Sequence, residues 1–263
     1  SSSICPGATA TMLDAFTLQT SAGTDTVTGV TVALAAGASA GIALVEITND
    51  AGGSVYGSAS NPGSDTVAIT LGTNITATNT STQYKVRITP KTATNMAAPP
   101  GASYAVTGTV TSVTSTLSKT YSDTASGTVT IDNLSPSNAT WGTVTPGSGQ
   151  IVLNWTNPGD ADFNQIVILR STATIADAPV EGTTYVAGNP IGASTVRYVG
   201  SLQTFTDTGL TNGTGYLYKI FARDTCINYS LGIETGPHTP SAPVPALTTG
   251  TPSAVVNACN QIT

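Results

Sequence analysis

Asp207-Thr208-Gly209-Leu210-Thr211-Asn212-Gly213-Thr214-Gly215-Tyr216-Leu217-Tyr218-Lys219-Ile220-Phe221-Ala222-Arg223-Asp224 decides the fold of this chain. Its first half holds a turn-forming Asn212-Gly213. Its second half sets Tyr216, Tyr218 and Ile220 at a spacing of two, so one strand face carries large side chains that need a core. A half-buried strand of this kind requires partner strands on either side of it in the sheet.

Upstream, Gln150-Ile151-Val152-Leu153-Asn154-Trp155 alternates and stops at Thr156-Asn157-Pro158. Phe163–Arg170 follows as a second strand. A long loop runs from Ser171 to Gly192, and Val196–Val199 and Thr204–Thr206 are short strands leading back to the opening stretch. Leu210 six residues before Tyr216, then Ile220 and Ala222, resembles the E–F corner and F strand of fibronectin type III modules, and Gln150–Trp155 resembles their B strand. The resemblance covers residues 132–240. It implies that Trp155 is a core tryptophan, that Tyr216 closes the corner on upstream backbone, and that Ala222-Arg223-Asp224 to Asn228-Tyr229-Ser230 is the F–G loop. The wording of the chain is similar to modules of large secreted bacterial surface proteins, including those found beside multihaem cytochromes in metal-respiring species. With no CxxCH and only His238 as an imidazole, a redox role is not carried over.

In the N-terminal half, strands are predicted at 14–20, 26–34, 42–48, 54–58, 66–71, 83–89 and 103–113, separated by Gly-, Asn- and Pro-rich turns. No apolar period of 3.6 persists. The expected architecture is all-β: two tandem Ig-like/fibronectin type III-like β-sandwiches with extended termini. Residues 1–7 are an N-terminal extension, 8–116 an Ig-like sandwich, and 117–131 a linker where the alternation fades. Residues 132–240 are the fibronectin type III-like sandwich, and 241–263 a Pro-rich tail.

At 263 residues the chain has length for two cores, yet charged residues are only 8% and the net charge is -6. Its solvated faces must be covered by Thr, Ser, Asn and Gly, which leaves no basic stripe for nucleic acid. No run reaches the roughly 18 apolar residues of a membrane helix. The Ser1-Ser2-Ser3 start is that expected of a mature exported product after signal-peptide cleavage, placing the chain at an extracellular cell surface.

Candidate chemistry is sparse. Asp160 and Asp162 in one loop, with Asp224 and Asn228 in another, could bring oxygens together for calcium, but such acids more often cap turns. A serine hydrolase lacks a base and a Gly-x-Ser-x-Gly elbow, and a glycosidase lacks a carboxylate pair on facing rigid elements. No catalytic, cofactor-binding or metal residue is assigned, and no cofactor. Asn74, Asn79, Asn138, Asn154, Asn212 and Asn228 begin Asn-x-Ser/Thr triplets, which a chain this rich in Asn and Thr forms by chance. Of the three cysteines, Cys226 is expected to pair with Cys259, with Cys5 as the alternative.

Pro237, Pro240, Pro243, Pro245 and Pro252 should hold the tail extended before a short apolar strand, Ser253–Asn257. Either that strand or Ala8–Thr20 could add to a neighbour's sheet edge. The expected role is a non-enzymatic structural subunit of an extracellular filament, pilus-associated assembly or surface coat, a head-to-tail homopolymer or a partner of other surface proteins. The alternative is an adhesion or polysaccharide-binding module pair of a larger secreted protein.

Overall fold

A computed structural model describes residues 2–117 and 120–242. Among them every regular element is a strand, apart from two short 3-10 turns at Ala38–Gly41 and Ala93–Asn95. No helix among them is long and apolar enough to cross a membrane.

The N-terminal body contains β1 (Ser2–Ile4), β2 (Thr11–Gln19), β3 (Asp25–Leu34), β4 (Ile42–Asn49), β5 (Val55–Ser60), β6 (Thr66–Ala77), β7 (Thr82–Pro90), β8 (Gly101–Ser115), β9 (Thr120–Ser126) and β10 (Thr128–Leu134). They pair in the order β1-β10-β8-β3-β6-β5-β4-β7-β2-β9. The β5–β6 step is a single pair, Gly57 with Leu71, so the order folds there into two layers of five strands. A Cβ on Gly57 would lie 2.8 Å from the Thr70 carbonyl oxygen, and only glycine permits that approach. Phe16, Leu18, Val45 and Ile88 from one layer meet Val30, Ile69, Val110 and Ile131 from the other in one buried cluster.

Two expectations change here. The stretch 117–131, read as a linker, carries β9 and the start of β10, and the sheet continues to Leu134. Its alternation fades because β9 ends the strand order, pairing with β2, and Tyr121 is left exposed, so an edge strand made mostly of Thr, Ser and Asp shows no apolar face in the sequence. The segment Ala8–Thr20, considered as a strand for a neighbour, contains β2, which lies between β7 and β9 of its own sheet with Leu13, Phe16 and Leu18 buried. β1 is likewise tied down, running parallel to β10.

The C-terminal body contains β11 (Thr140–Trp141), β12 (Thr145–Gly147), β13 (Gln150–Thr156), β14 (Phe163–Ser171), β15 (Pro190–Ile191), β16 (Ser194–Gly200), β17 (Thr204–Thr208), β18 (Tyr216–Asp224) and β19 (Ile233–His238). One layer is β11 and β12 on β13 with β17 beyond, and the other is β15-β16-β14-β18-β19. This is the fibronectin type III-like arrangement. Trp155, Ile168, Tyr218 and Ile220 fill the space between the layers. Tyr216 sits half-buried at the rim, and its hydroxyl oxygen accepts the Thr211 backbone N–H at 3.1 Å, closing the corner as expected.

β14 reads Ile166-Val167-Ile168-Leu169 without alternation, and all four are buried. The loop predicted from Ser171 to Gly192 explains this. It folds over the outer face, where Ile175 and Tyr185 cover Val167, Leu169, Phe221 and Tyr229 as a second small core. Residues 243–263, including Cys259 and Ser253–Asn257, lie outside the described residues.

Candidate functional site at the junction of the two sandwiches

Three segments converge between the bodies: the end of β10, the turn from β13 to β14, and the turn after β18. The last turn is built by its own polar groups. Asn228 donates its backbone N–H to Asp224 Oδ1 at 2.9 Å, Asp224 N–H reaches the Asn228 carbonyl at 3.1 Å, and Ile227 takes a positive φ of 66° between them. Thr225 N–H bonds the Asp162 carbonyl at 3.0 Å, which fixes this turn against the preceding one.

Contacts then cross from one body to the other. Asn228 Nδ2 donates to the carbonyl of Asp132 at 3.1 Å and to Asp224 Oδ2 at 2.8 Å. Cys226 is bonded to Cys5, which follows β1 directly, so the first strand of one sandwich is covalently tied to the last turn of the other. This corrects the expectation of a Cys226–Cys259 pair. The parallel pairing of β1 with β10 brings Cys5 to the junction, and that long-range pairing has no signature in the sequence. A protein disulfide belongs to an oxidising compartment.

Carboxyl oxygens of Asp132, Asp162 and Asp224 lie within 4.8 Å of one another. Burial pushes the Asp224 carboxyl up to about 6 against two hydrogen bonds from Asn228, and the charges of Asp132 and Asp162 push the same way. Burial also raises Asp132, with Asp162 again adding to the rise. Among the described residues none of the three has a salt-bridge partner. Of the residues singled out in the sequence, Asp162, Asp224 and Asn228 are brought together. Asp160 is not one of the three and accepts from Ser137 N and Oγ, both at 3.2 Å, as a turn-capping acid does. Asp132 was missed. It lies between Ile131 and Asn133, whose side chains are buried, so strand alternation turns it outward, a signal readable only once β10 is recognised as a strand.

A second crevice at the junction holds Glu181 opposite Pro6, Gly7 and Thr92. Burial pushes its carboxyl up to about 7 even though the Tyr229 backbone N–H donates to it at 3.0 Å. Asn228 is 1% exposed, which removes its triplet from those open to glycosylation, whereas Asn74 and Asn79 are exposed.

No family model matches this chain, and no curated protein sequence matches it. Among solved structures it is similar to a human fibronectin type III domain of fibronectin type III domain containing protein 3, with 18% identity and a TM-score of 0.29 over 44% of this chain and 94% of that one. It is also similar to the fibronectin(III)-like modules of Clostridium thermocellum CbhA, with 10% identity and a TM-score of 0.30 over 77% and 80% of the two chains. A β-1,2-glucanase from Parabacteroides distasonis matches at 15% identity and a TM-score of 0.28 over 84% of this chain and 28% of that one. At these scores the neighbours assign neither fold nor activity, and the fold rests on the strand pairing described above.

Proposed function

We propose that the chain is a non-enzymatic structural subunit of an extracellular assembly, a filament, pilus-associated structure or surface coat, and that it works as a strut of two sandwiches held end to end. The observation that supports this reading is the junction. The Cys5–Cys226 bond and the Asn228–Asp132 hydrogen bond join the bodies, and the β1–β10 pairing anchors the Cys5 end of that bond in the first of them, where a flexible linker would let each body move freely. With Ala8–Thr20 engaged in its own sheet, the contact to a neighbouring subunit is assigned to the tail, 241–263. A strand added to an open sheet edge would be held by a row of backbone hydrogen bonds, each contributing about 0.5–1.5 kcal/mol net.

The adhesion or polysaccharide-binding alternative calls for a row of exposed aromatic rings. Among the described residues, the large exposed hydrophobic side chains are aliphatic or Met except for Tyr121. Sedimentation and negative-stain microscopy of the full chain beside a chain lacking 241–263 test the structural reading. Assemblies from the first and folded monomers from the second are expected. Monomers from both at high concentration would overturn it.

A further inference from the structure

We propose that Asp132, Asp162 and Asp224, together with the Asn228 carboxamide, form a calcium site that clamps the two sandwiches at their junction. It goes beyond the structural role above and does not depend on it.

Charge balance is the first argument. Three carboxylates whose oxygens lie within 4.8 Å of one another repel unless protons or a cation intervene. Elsewhere in the same sandwich a buried carboxylate is fully answered: Asp207 binds Arg170, Arg197 and Tyr218. Among the described residues no arginine or lysine is bonded to the three at the junction.

Asn228 is an independent second observation. Its side chain is 1% exposed and its carboxamide is turned toward the cluster, with Nδ2 on Asp224 Oδ2 and on the Asp132 carbonyl. The other end of that carboxamide, Oδ1, is buried and accepts no hydrogen bond from the described residues. A buried amide oxygen without a donor is costly. Half a turn of the carboxamide presents Oδ1 to Asp224 Oδ2 and the Asp132 carbonyl instead, an arrangement of three facing oxygens that a bound cation, or a proton on Asp224, makes favourable.

Size and composition select the ion. One ion with bonds to oxygen of about 2.3–2.6 Å reaches oxygens at this spacing, and calcium accepts an irregular set of six to eight oxygens that includes carboxylates, amide carbonyls and water. An open cleft of about 230 Å³ beside Asp132 and Asp162, lined also by Ser3, Ser103, Thr130 and Asp160, gives water access to complete the shell. Magnesium requires a smaller, near-octahedral set. Asp132 belongs to one sandwich and Asp162 and Asp224 to the other, so binding draws the two together.

The test uses the full chain with its disulfide intact, stripped with EDTA and titrated with calcium chloride by calorimetry, with thermal melting in parallel. One site is expected, with a dissociation constant on the order of 0.1–1 mM or tighter, and a higher melting temperature at about 5 mM calcium than at 5 mM magnesium. Asp162→Asn and Asp132→Asn should each weaken calcium binding by about tenfold or more while melting in EDTA no lower than the parent. Absence of any calcium-dependent heat or melting shift at about 10 mM would overturn the proposal. So would binding unchanged in both variants, or an equal response to magnesium.

Discussion

The C-terminal sandwich and its junction treat acidic side chains in opposite ways. Asp207 is fully buried, and it accepts from Arg170 Nη1 at 2.9 Å, Arg197 Nη2 at 2.8 Å and the Tyr218 hydroxyl at 2.9 Å. Asp132, Asp162 and Asp224 stand together, and among the described residues no arginine or lysine is bonded to them. Asp207, Asp132 and Asp224 lie on strands and Asp162 in the turn from β13 to β14, and the difference lies in what answers the charge. Asp207 has its positive groups within the same fold and is structural. Among the described residues the junction trio lacks them, and its charge is left for protons or the proposed cation to answer.

Substitutions should therefore give opposite signs in the two places. Asp207→Ala leaves two guanidinium groups facing each other and Tyr218 without its acceptor. Removing one member of a buried, hydrogen-bonded ion pair costs about 3–5 kcal/mol, and urea unfolding at neutral pH should show a loss of that size. A loss under about 1 kcal/mol would mean that solvent already satisfies these groups and that the contrast is false.

Next in size is the covalent tie. Cys226→Ser should cost about 2–4 kcal/mol through the unfolded chain, since the bonded residues are 221 apart in sequence. Peptide mapping without reductant should recover the Cys226 peptide bound to the Cys5 peptide. Recovery of a Cys226–Cys259 pair would detach β1 from the last turn and leave the junction to its hydrogen bonds.

The strand framework was legible because alternation is local: β3, β4, β7, β13 and β14 lie within a residue or two of their predicted positions. The corner made by Tyr216 was legible for the same reason, its partner Thr211 being five residues away. What the sequence hid is non-local. β9 borders solvent and carries no apolar face, the β1–β10 pairing joins segments more than a hundred residues apart, and the disulfide depends on that pairing. Asp162 and Asp224 could be suspected from their loops, but Asp132 became part of the cluster only when the predicted linker proved to be sheet.

A third arrangement lies between the two extremes and gives a test by pH. Asp14, in β2, is fully buried, and burial pushes its carboxyl up to about 6, with the charge of neighbouring Asp123 adding to the rise. Asp14 Oδ1 accepts the Ala15 backbone N–H, and Oδ2 has no hydrogen-bond partner among the described residues. Because the folded value is raised, the folded state holds this proton more tightly than the unfolded chain. Its contribution is present below about pH 4 and is lost as pH rises through about 6. Asp14→Asn supplies a permanent N–H donor in place of the proton. It should stabilise the protein by roughly 1–2 kcal/mol at pH 7 and have little effect near pH 4. Equal effects at both pH values would show that the proton is not the cause.

The smallest effect tests the junction most directly. Without calcium, Asp162→Asn removes one of three mutually repelling charges, while the backbone bond from Thr225 to the Asp162 carbonyl is unaffected. The expected change in EDTA is therefore neutral to about 1 kcal/mol stabilising, and it should shrink as salt rises, because these groups are only partly shielded from solvent. In calcium the sign should reverse, since the parent gains the bound ion and the variant gains much less. Asp207→Asn measured under the same conditions should destabilise with or without calcium. A destabilising Asp162→Asn in EDTA would place that carboxylate in the same class as Asp207, answered from within the fold, and the case for an ion at the junction would be lost.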